Sequence, residues 1–431
     1  MKRKRRLPLL LSLGTAVLLG AAQQDIWLLI DGGRPAYSFA LPAFVPANEA
    51  SRASAEEAAR IFEADIQYTR IFQLLPKTYY SYIRTLDPKA IQFKEWESIQ
   101  ASLLFVGELA ESAAGDITFE GRLLDVKSER QIVGRRYQAK KADLRYMMHR
   151  MADEIMKAYG EKPVFTSKIA FISNRDGNDE VYFMDYDGAR QERFTFNAVR
   201  DYMPAFTPGG QHLAYTSYRS LVPGVYIDDI YENKRTAVSV KGMNFAPSFS
   251  ADGKKLAFSS SMDGNAEIYV ADVEFNPTRV GRVRRLTFNQ AVDTAPSWSP
   301  NGREIVFTSD RGGTAQIYIM DAEGTNPRRI SFGANHHDAP AWSPNGDKIV
   351  YVARVDNVFD LYLYHVQSGQ IKKLTESNAR NESPSWSPDG RHLVFTSNMR
   401  GGIQIFSIDA DGQNLRPLTT VGENKLPDWS H

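Results

Sequence analysis

From about residue 165 onward the chain is written in short apolar runs of alternating or β-branched character, each bounded by glycine, asparagine or aspartate. One such stretch reads Glu304-Ile305-Val306-Phe307-Thr308-Ser309, then the turn Asp310-Arg311-Gly312-Gly313, then Gln316-Ile317-Tyr318-Ile319-Met320. A second turn, Asp321-Ala322-Glu323-Gly324, precedes a short run around Arg328-Arg329-Ile330. Alternation with β-branched and aromatic residues between turn formers predicts strands joined by hairpins. The unit repeats. Pro296-Ser297-Trp298-Ser299-Pro300-Asn301-Gly302 returns from Pro340 and from Pro384, more loosely from Pro204 (with Phe206) and Pro247 (with Phe249), and truncated at Pro427-Asp428-Trp429-Ser430. Successive first prolines stand 43, 49, 44, 44 and 43 residues apart, the period of a four-stranded propeller blade.

Call the Pro-x-Trp strand a and the next three b, c and d. Six a strands occur, and six b strands begin near Lys168, His212, Lys255, Glu304, Lys348 and Arg391. The series opens on b and closes on a, so the last strand is expected to pair with Lys168–Ile172, which completes a ring and hides both edges. The tryptophans then fill gaps between blades.

Before residue 163 the pattern changes to α/β. Leu41 to Val45 predicts a short buried strand, and Ser54-Ala55-Glu56-Glu57 has the form of a capping box opening a helix that buries Ile61, Phe62 and Ile66. Three strands are predicted over Leu103–Glu111, Ile117–Asp125 and Gln131–Ala139. Leu144, Met147, Met148, Met151, Ile155 and Tyr159 follow at helical spacing, a core stripe rather than a cofactor site. The expected fold is an α/β N-terminal domain over 23–162, joined by the linker Glu161-Lys162-Pro163 to an all-β six-bladed β-propeller over 163–431.

Composition sharpens this in two places. Five basic residues (Lys2, Arg3, Lys4, Arg5, Arg6) precede the apolar run Leu7–Leu19 and Gly20-Ala21-Ala22, the layout of a signal peptide over 1–22; a retained membrane anchor is the competing reading. The precursor's net charge of +1 comes from 52 basic and 51 acidic residues; cleavage leaves 47 against 51, a net charge of −4, which removes the electrostatic support for nucleic-acid binding. No later run is long enough to enter a membrane. The absence of cysteine excludes disulfides, thiolate metal sites and a cysteine nucleophile.

Candidate chemistry is sparse. The Asp-x-Asp-Gly turns at Asp185/Asp187 and Asp409/Asp411 resemble fragments of calcium loops without the remaining ligands, and read as c–d turns. In His336-His337-Asp338 the histidines are adjacent rather than spaced for a metal, so a solvated or partner-facing loop is expected. No G-x-S-x-G elbow occurs, and about 140 residues outside the propeller are few for a hydrolase domain. Strand parity places the d–a loops on one face, while the a–b and c–d turns lie on the other with both ends of the propeller segment. The N-terminal domain is expected at or beside the a–b face, leaving the d–a face open.

Taken together, Leu103-Leu104-Phe105-Val106-Gly107, Leu123-Leu124-Asp125, the tract Asp143-Leu144-Arg145-Tyr146 to Asp153-Glu154-Ile155, Lys168–Ile172 and the six repeats resemble the TolB family, periplasmic propeller components of the Tol–Pal envelope system. The resemblance spans nearly the whole mature chain. It implies a periplasmic scaffold without catalytic activity, metal or cofactor, acting as a monomer within the complex. It implies binding of the lipoprotein Pal at the d–a face and of the inner-membrane protein TolA through a mobile segment over 23–35, for outer-membrane integrity and constriction at division. Carried over by position, the Pal face includes Met243, Ala246, Thr294 and Ala295, with Tyr202, His337 and Glu382 on neighbouring loops. The TolA segment includes Asp25, Ile26, Trp27, Ile30 and Asp31. Trp27 and Ile30 could equally add a strand to their own domain. A propeller-gated peptidase, another periplasmic hydrolase or a ligand-binding propeller is the alternative, with Glu382, Asp338 and His337 as the visible start of a channel site.

Overall fold

A computed structural model describes residues 37–431 apart from Asn233 and Ser239. The expected signal peptide and the segment 23–35, with Asp25, Ile26, Trp27, Ile30 and Asp31, lie outside the described residues.

The N-terminal part is a mixed sheet with helices on both faces. In chain order its elements are β1 (Tyr37–Ala40), β2 (Val45–Pro46), α1 (Arg52–Tyr68), β3 (Phe72–Leu74), α2 (Phe93–Ser98), β4 (Leu103–Glu111), β5 (Asp116–Asp125), β6 (Arg130–Lys140) and α3 (Leu144–Ala158). The sheet order is β3-β1-β4-β5-β6 with β2 beside β4, and β1 runs parallel to both neighbours. Leu103, Phe105 and Leu109 of β4 face α1 and α3, while Leu104 and Val106 face Trp96 of α2. Burial on both faces is why Leu103–Val106 reads as an unbroken apolar run rather than an alternation. On the α1 side Phe62 stacks on Phe105 at 4.3 Å, and Met147, Met148 and Met151 of α3 complete the core.

Two local expectations need correction. The strand expected at Leu41–Val45 lies earlier, at β1; Leu41 and Phe44 are buried but irregular, and Pro42 between them has no N–H to give a ladder. Ser54 is not a cap either. The helical path begins at a short 3₁₀ turn, Glu49–Ser51, where Asn48 Oδ1 accepts from the Ser51 N–H at 2.9 Å. Ser54 is thus already inside α1, and its hydroxyl donates to Glu111 of β4 at 2.5 Å.

The rest is a closed ring of six four-stranded blades. Blade 1 joins the two ends of the segment: strand a, Asn424–Trp429, pairs antiparallel with strand b, Lys168–Ser173, in the register Trp429↔Ile169 and Asn424↔Ser173. Strands a of blades 2 to 6 are Asp201–Phe206, Asn244–Phe249, Asp293–Trp298, His336–Trp342 and Asn381–Trp386. Trp298, Trp342, Trp386 and Trp429 are all buried, as gap-filling between blades requires.

The N-terminal part sits on the a–b and c–d turns, as parity predicts, and the linker is pinned to it. Asp153 of α3 accepts from the N–H groups of Val164, Phe165 and Thr166 at 2.9, 3.0 and 3.0 Å, and Glu161 pairs with Arg391 at 2.6 Å. The two Asp-x-Asp-Gly turns are receptors for arginines of this domain. Arg70 reaches Asp409 and Asp411 at 2.6 and 2.7 Å in blade 6, and Arg145 pairs with Asp187 and, at 3.5 Å, with Asp185 in blade 1. Between them lies a buried aromatic seam in which the Tyr68 ring stands 4.1 Å from His392 and 5.0 Å from Tyr186.

Candidate partner-binding face

The site is built from one local conflict repeated six times. Proline at the middle of each strand a has no N–H to donate, so the ladder to strand b breaks there; every a–b pair shows a register shift across the proline. The residue before a proline avoids the right-handed helical region. Here it takes the left-handed one: Met203, Ala246, Ala295, Ala339, Ser383 and Leu426 all have φ between 49° and 53°. A non-glycine residue in that region costs ~1–2 kcal/mol. Bonds between blades offset part of this. The freed N–H groups of Ala246, Ala295 and Leu426 donate to hydroxyls of the preceding blade, Thr216 (3.3 Å), Ser259 (3.2 Å) and Thr396 (3.0 Å). The bulge turns these six residues and their prolines toward the axis, where they line a central channel of about 820 Å³.

Counting back from the proline gives a ring at each position. Three residues before it stand Asp201, Asn244, Asp293, His337, Asn381 and Asn424, all buried. These polar side chains tie their own d–a loops: Asp201 and Asp293 each accept from an asparagine, Asn197 or Asn289, at 2.8 Å, and Asn424 donates to Gln404 at 2.8 Å. Four residues before the proline stand Arg200, Met243, Val292, His336, Arg380 and Glu423, which form the outer lip. Met243 and Val292 are each 45% exposed, so blades 3 and 4 give the lip an apolar sector that Met203 (37%) of blade 2 continues inward beside the exposed Arg200, while Arg380 and Glu423 make the opposite lip charged.

The carried-over positions distribute over these rings. Met243 is on the apolar lip, and Ala246 and Ala295 line the mouth with Thr294 beside them. Tyr202 is half-buried, its hydroxyl donating to Asp179 at 2.8 Å and its ring 5.2 Å from the Lys425 ammonium. Glu382 lines the channel and pairs with Arg380 at 2.8 Å. His337 contradicts the expectation of a partner-facing loop. It belongs to the buried polar ring, only 1% exposed, and burial first, then Arg329 and His336, holds its imidazole down to about 4. Its immediate neighbours His336 and Asp338 reach the channel, while alternation turns His337 the other way. The trio Glu382, Asp338 and His337 is therefore not one constellation: Asp338 accepts from Thr308 at 2.9 Å, and His337 lies behind the wall. At the opposite end of the channel Asp428 is held high, to about 7, by burial against the bonds from the Phe206 N–H and Ser385.

Sequence reading missed three exposed phenylalanines on the d–a loops. Phe196, Phe288 and Phe332 each carry an arginine of their own blade over the ring, at 4.8, 4.8 and 5.1 Å. The signal was present: an Arg-x-x-Phe spacing recurs after three d strands, at Arg193, Arg285 and Arg329.

Comparison with known proteins gives the same two parts in the same order. The sequence matches the TolB amino-terminal domain over residues 29–132 and the TolB beta propeller domain over 156–431. It is 35% identical over 223 residues to the Tol-Pal system protein TolB of Desulfosudis oleivorans, covering 50% of each chain. It is 32% identical over 276 residues to the TolB homolog of Chlorobium chlorochromatii, covering 63% of this chain and 61% of that one. The matched stretch thus spans half to about three-fifths of these relatives. The crystal structure of TolB from Acinetobacter baumannii superposes with a TM-score of 0.75 at 26% identity, over 92% of this chain and 97% of that one. With both domains matched, the propeller model alone spanning more than half of the chain, and the architecture shared over 92% of it, this protein belongs to the TolB family.

Proposed function

We propose that this protein is a non-enzymatic, periplasmic protein-binding scaffold of the Tol–Pal system. In this reading it holds Pal at the d–a mouth and TolA through residues 23–35, and so links the outer membrane and peptidoglycan to the inner-membrane complex during envelope maintenance and constriction. The observation that carries the reading is the asymmetry of the propeller's two ends. The a–b end is covered by the N-terminal domain, whereas the d–a end presents the apolar sector Met203–Met243–Val292 beside Ala246, Thr294 and Ala295. An exposed apolar cluster rimmed by charge marks a protein-binding surface. The names of the relatives, which place them in the Tol–Pal system, support the choice of partner.

The test is local. Ala246→Arg and Thr294→Arg add a long cation to the mouth and are expected to weaken binding of the soluble Pal domain at least about tenfold, or ~1.4 kcal/mol. Glu304→Arg, on the opposite end, is expected to leave it unchanged. Equal affinity for all three would move the partner to another surface. Deleting residues 23–33 is expected to abolish TolA binding and spare Pal.

A further inference from the structure

Where α3 meets blade 1, three metal-ligating side chains from distant parts of the chain converge: His149, Asp185 and Asp187 offer ligand atoms that all lie within 4.8 Å of one another. His149 is 1% exposed and its two nitrogens are in different situations. Nδ1 lies 2.9 and 3.1 Å from the carboxylate oxygens of Asp65, which also accepts from the Tyr186 hydroxyl at 2.6 Å. A carboxylate only accepts, so Nδ1 carries the hydrogen, and in the neutral imidazole Nε2 then presents the lone pair. That Nε2 is buried and has no hydrogen-bond partner. A carboxylate behind Nδ1 with an open Nε2 in front is the arrangement by which proteins orient a metal-binding imidazole.

We propose that His149, Asp185 and Asp187 form a binding site for a divalent transition metal of the zinc class at the seam between the two domains, with Arg145 as the resident competitor. One imidazole and two carboxylates are a hard-to-borderline N/O set suited to that class. Bonds of ~2.0–2.2 Å in a tetrahedral shell place ligand atoms about 3.4 Å apart, so the cluster must contract by up to about 1.4 Å, a shift that the exposed Asp187 side chain can supply. Asp185 is shared, since Lys168 and Arg190 reach it at 2.5 and 2.7 Å, which leaves Asp187 as the principal carboxylate. Arg145, one turn before His149 on α3, now pairs with both aspartates. It is imperfectly housed, because its Nε is buried without a hydrogen bond.

The experiment titrates the chelator-treated protein with Co²⁺, read by visible absorption, and with Zn²⁺, read by calorimetry. One ion per chain is expected. Because His149 is buried and its removal threatens folding, Asp187→Asn at the exposed edge is the decisive variant, expected to weaken binding about tenfold or more. Arg145→Ala is expected to tighten it by a similar factor, a change of sign that a merely structural cluster does not produce. No binding by the unaltered protein at about 1 mM metal, or binding indifferent to Asp187→Asn or weakened by Arg145→Ala, overturns the proposal.

Discussion

At the residue scale, the sixfold alignment of strand a separates residues that look alike in sequence. His336 and His337 are neighbours, yet one is on the lip and the other in the buried polar ring with Asn244, Asn381 and Asn424. The consequence is a pH dependence with a definite sign. The folded imidazole of His337 titrates at about 4, below the ~6.5 of an unfolded histidine. Between those values the unfolded chain binds the proton and the folded one does not, so stability is full above ~6.5 and is lost as pH falls toward 4. His337→Asn, which copies three sister blades, is expected to remove on the order of 2–3 kcal/mol of that acid loss, seen as a flatter dependence of the urea midpoint on pH. An identical slope in both proteins would contradict the buried assignment. Trp342→Ala is expected to cost ~3–5 kcal/mol by emptying the gap between blades, and a small shift in melting temperature would contradict that. The tryptophans and prolines were legible because their spacing is their function. The left-handed residue before each proline was not, since Met203, Ala246, Ser383 and Leu426 share no side-chain chemistry; only their common backbone position unites them.

At the element scale, the strands were legible wherever one period held along them. The b strands and β4 to β6 fall within a residue or two of their expected bounds, because alternation or continuous burial marks them. The entrance of α1 was misread for a physical reason. Ser54 and Glu57 match a capping box in spacing, but a cap must stand outside the helix, and Asn48 with its 3₁₀ turn already starts the path upstream. Closure by the last strand is the element on which the ring depends. Deleting residues 424–431 would expose the edge of Lys168–Ser173 and remove Trp429, whose indole N–H donates to Ser167 at 2.7 Å. The expected outcome is a lower, broader thermal melt and rapid proteolysis of blade 1. An unchanged melt would show that the ring does not rely on this strand.

At the scale of the whole molecule, strand parity alone told which end of the propeller the N-terminal domain covers. It could not tell how the domain is held. Arg70 and Arg145 are unremarkable in sequence, and their partners Asp409/Asp411 and Asp185/Asp187 looked like incomplete calcium loops; the two readings meet only when the chain is folded. Ion pairs of this kind, partly exposed at one end, add about 0–1 kcal/mol each. The continuous apolar core, which runs from Phe62 and Met148 through Phe165 to Trp429 and Ile405, therefore carries most of the domain contact. With one end of the ring covered in this way, the d–a end stays open, and the proposed function places the partner there. The most direct test of the central claim is a titration of the protein lacking residues 1–22 with the soluble domain of Pal from the same organism. Saturable one-to-one binding with a Kd below about 10 μM is expected; no binding at about 100 μM would contradict the assignment of this face and of the function built on it.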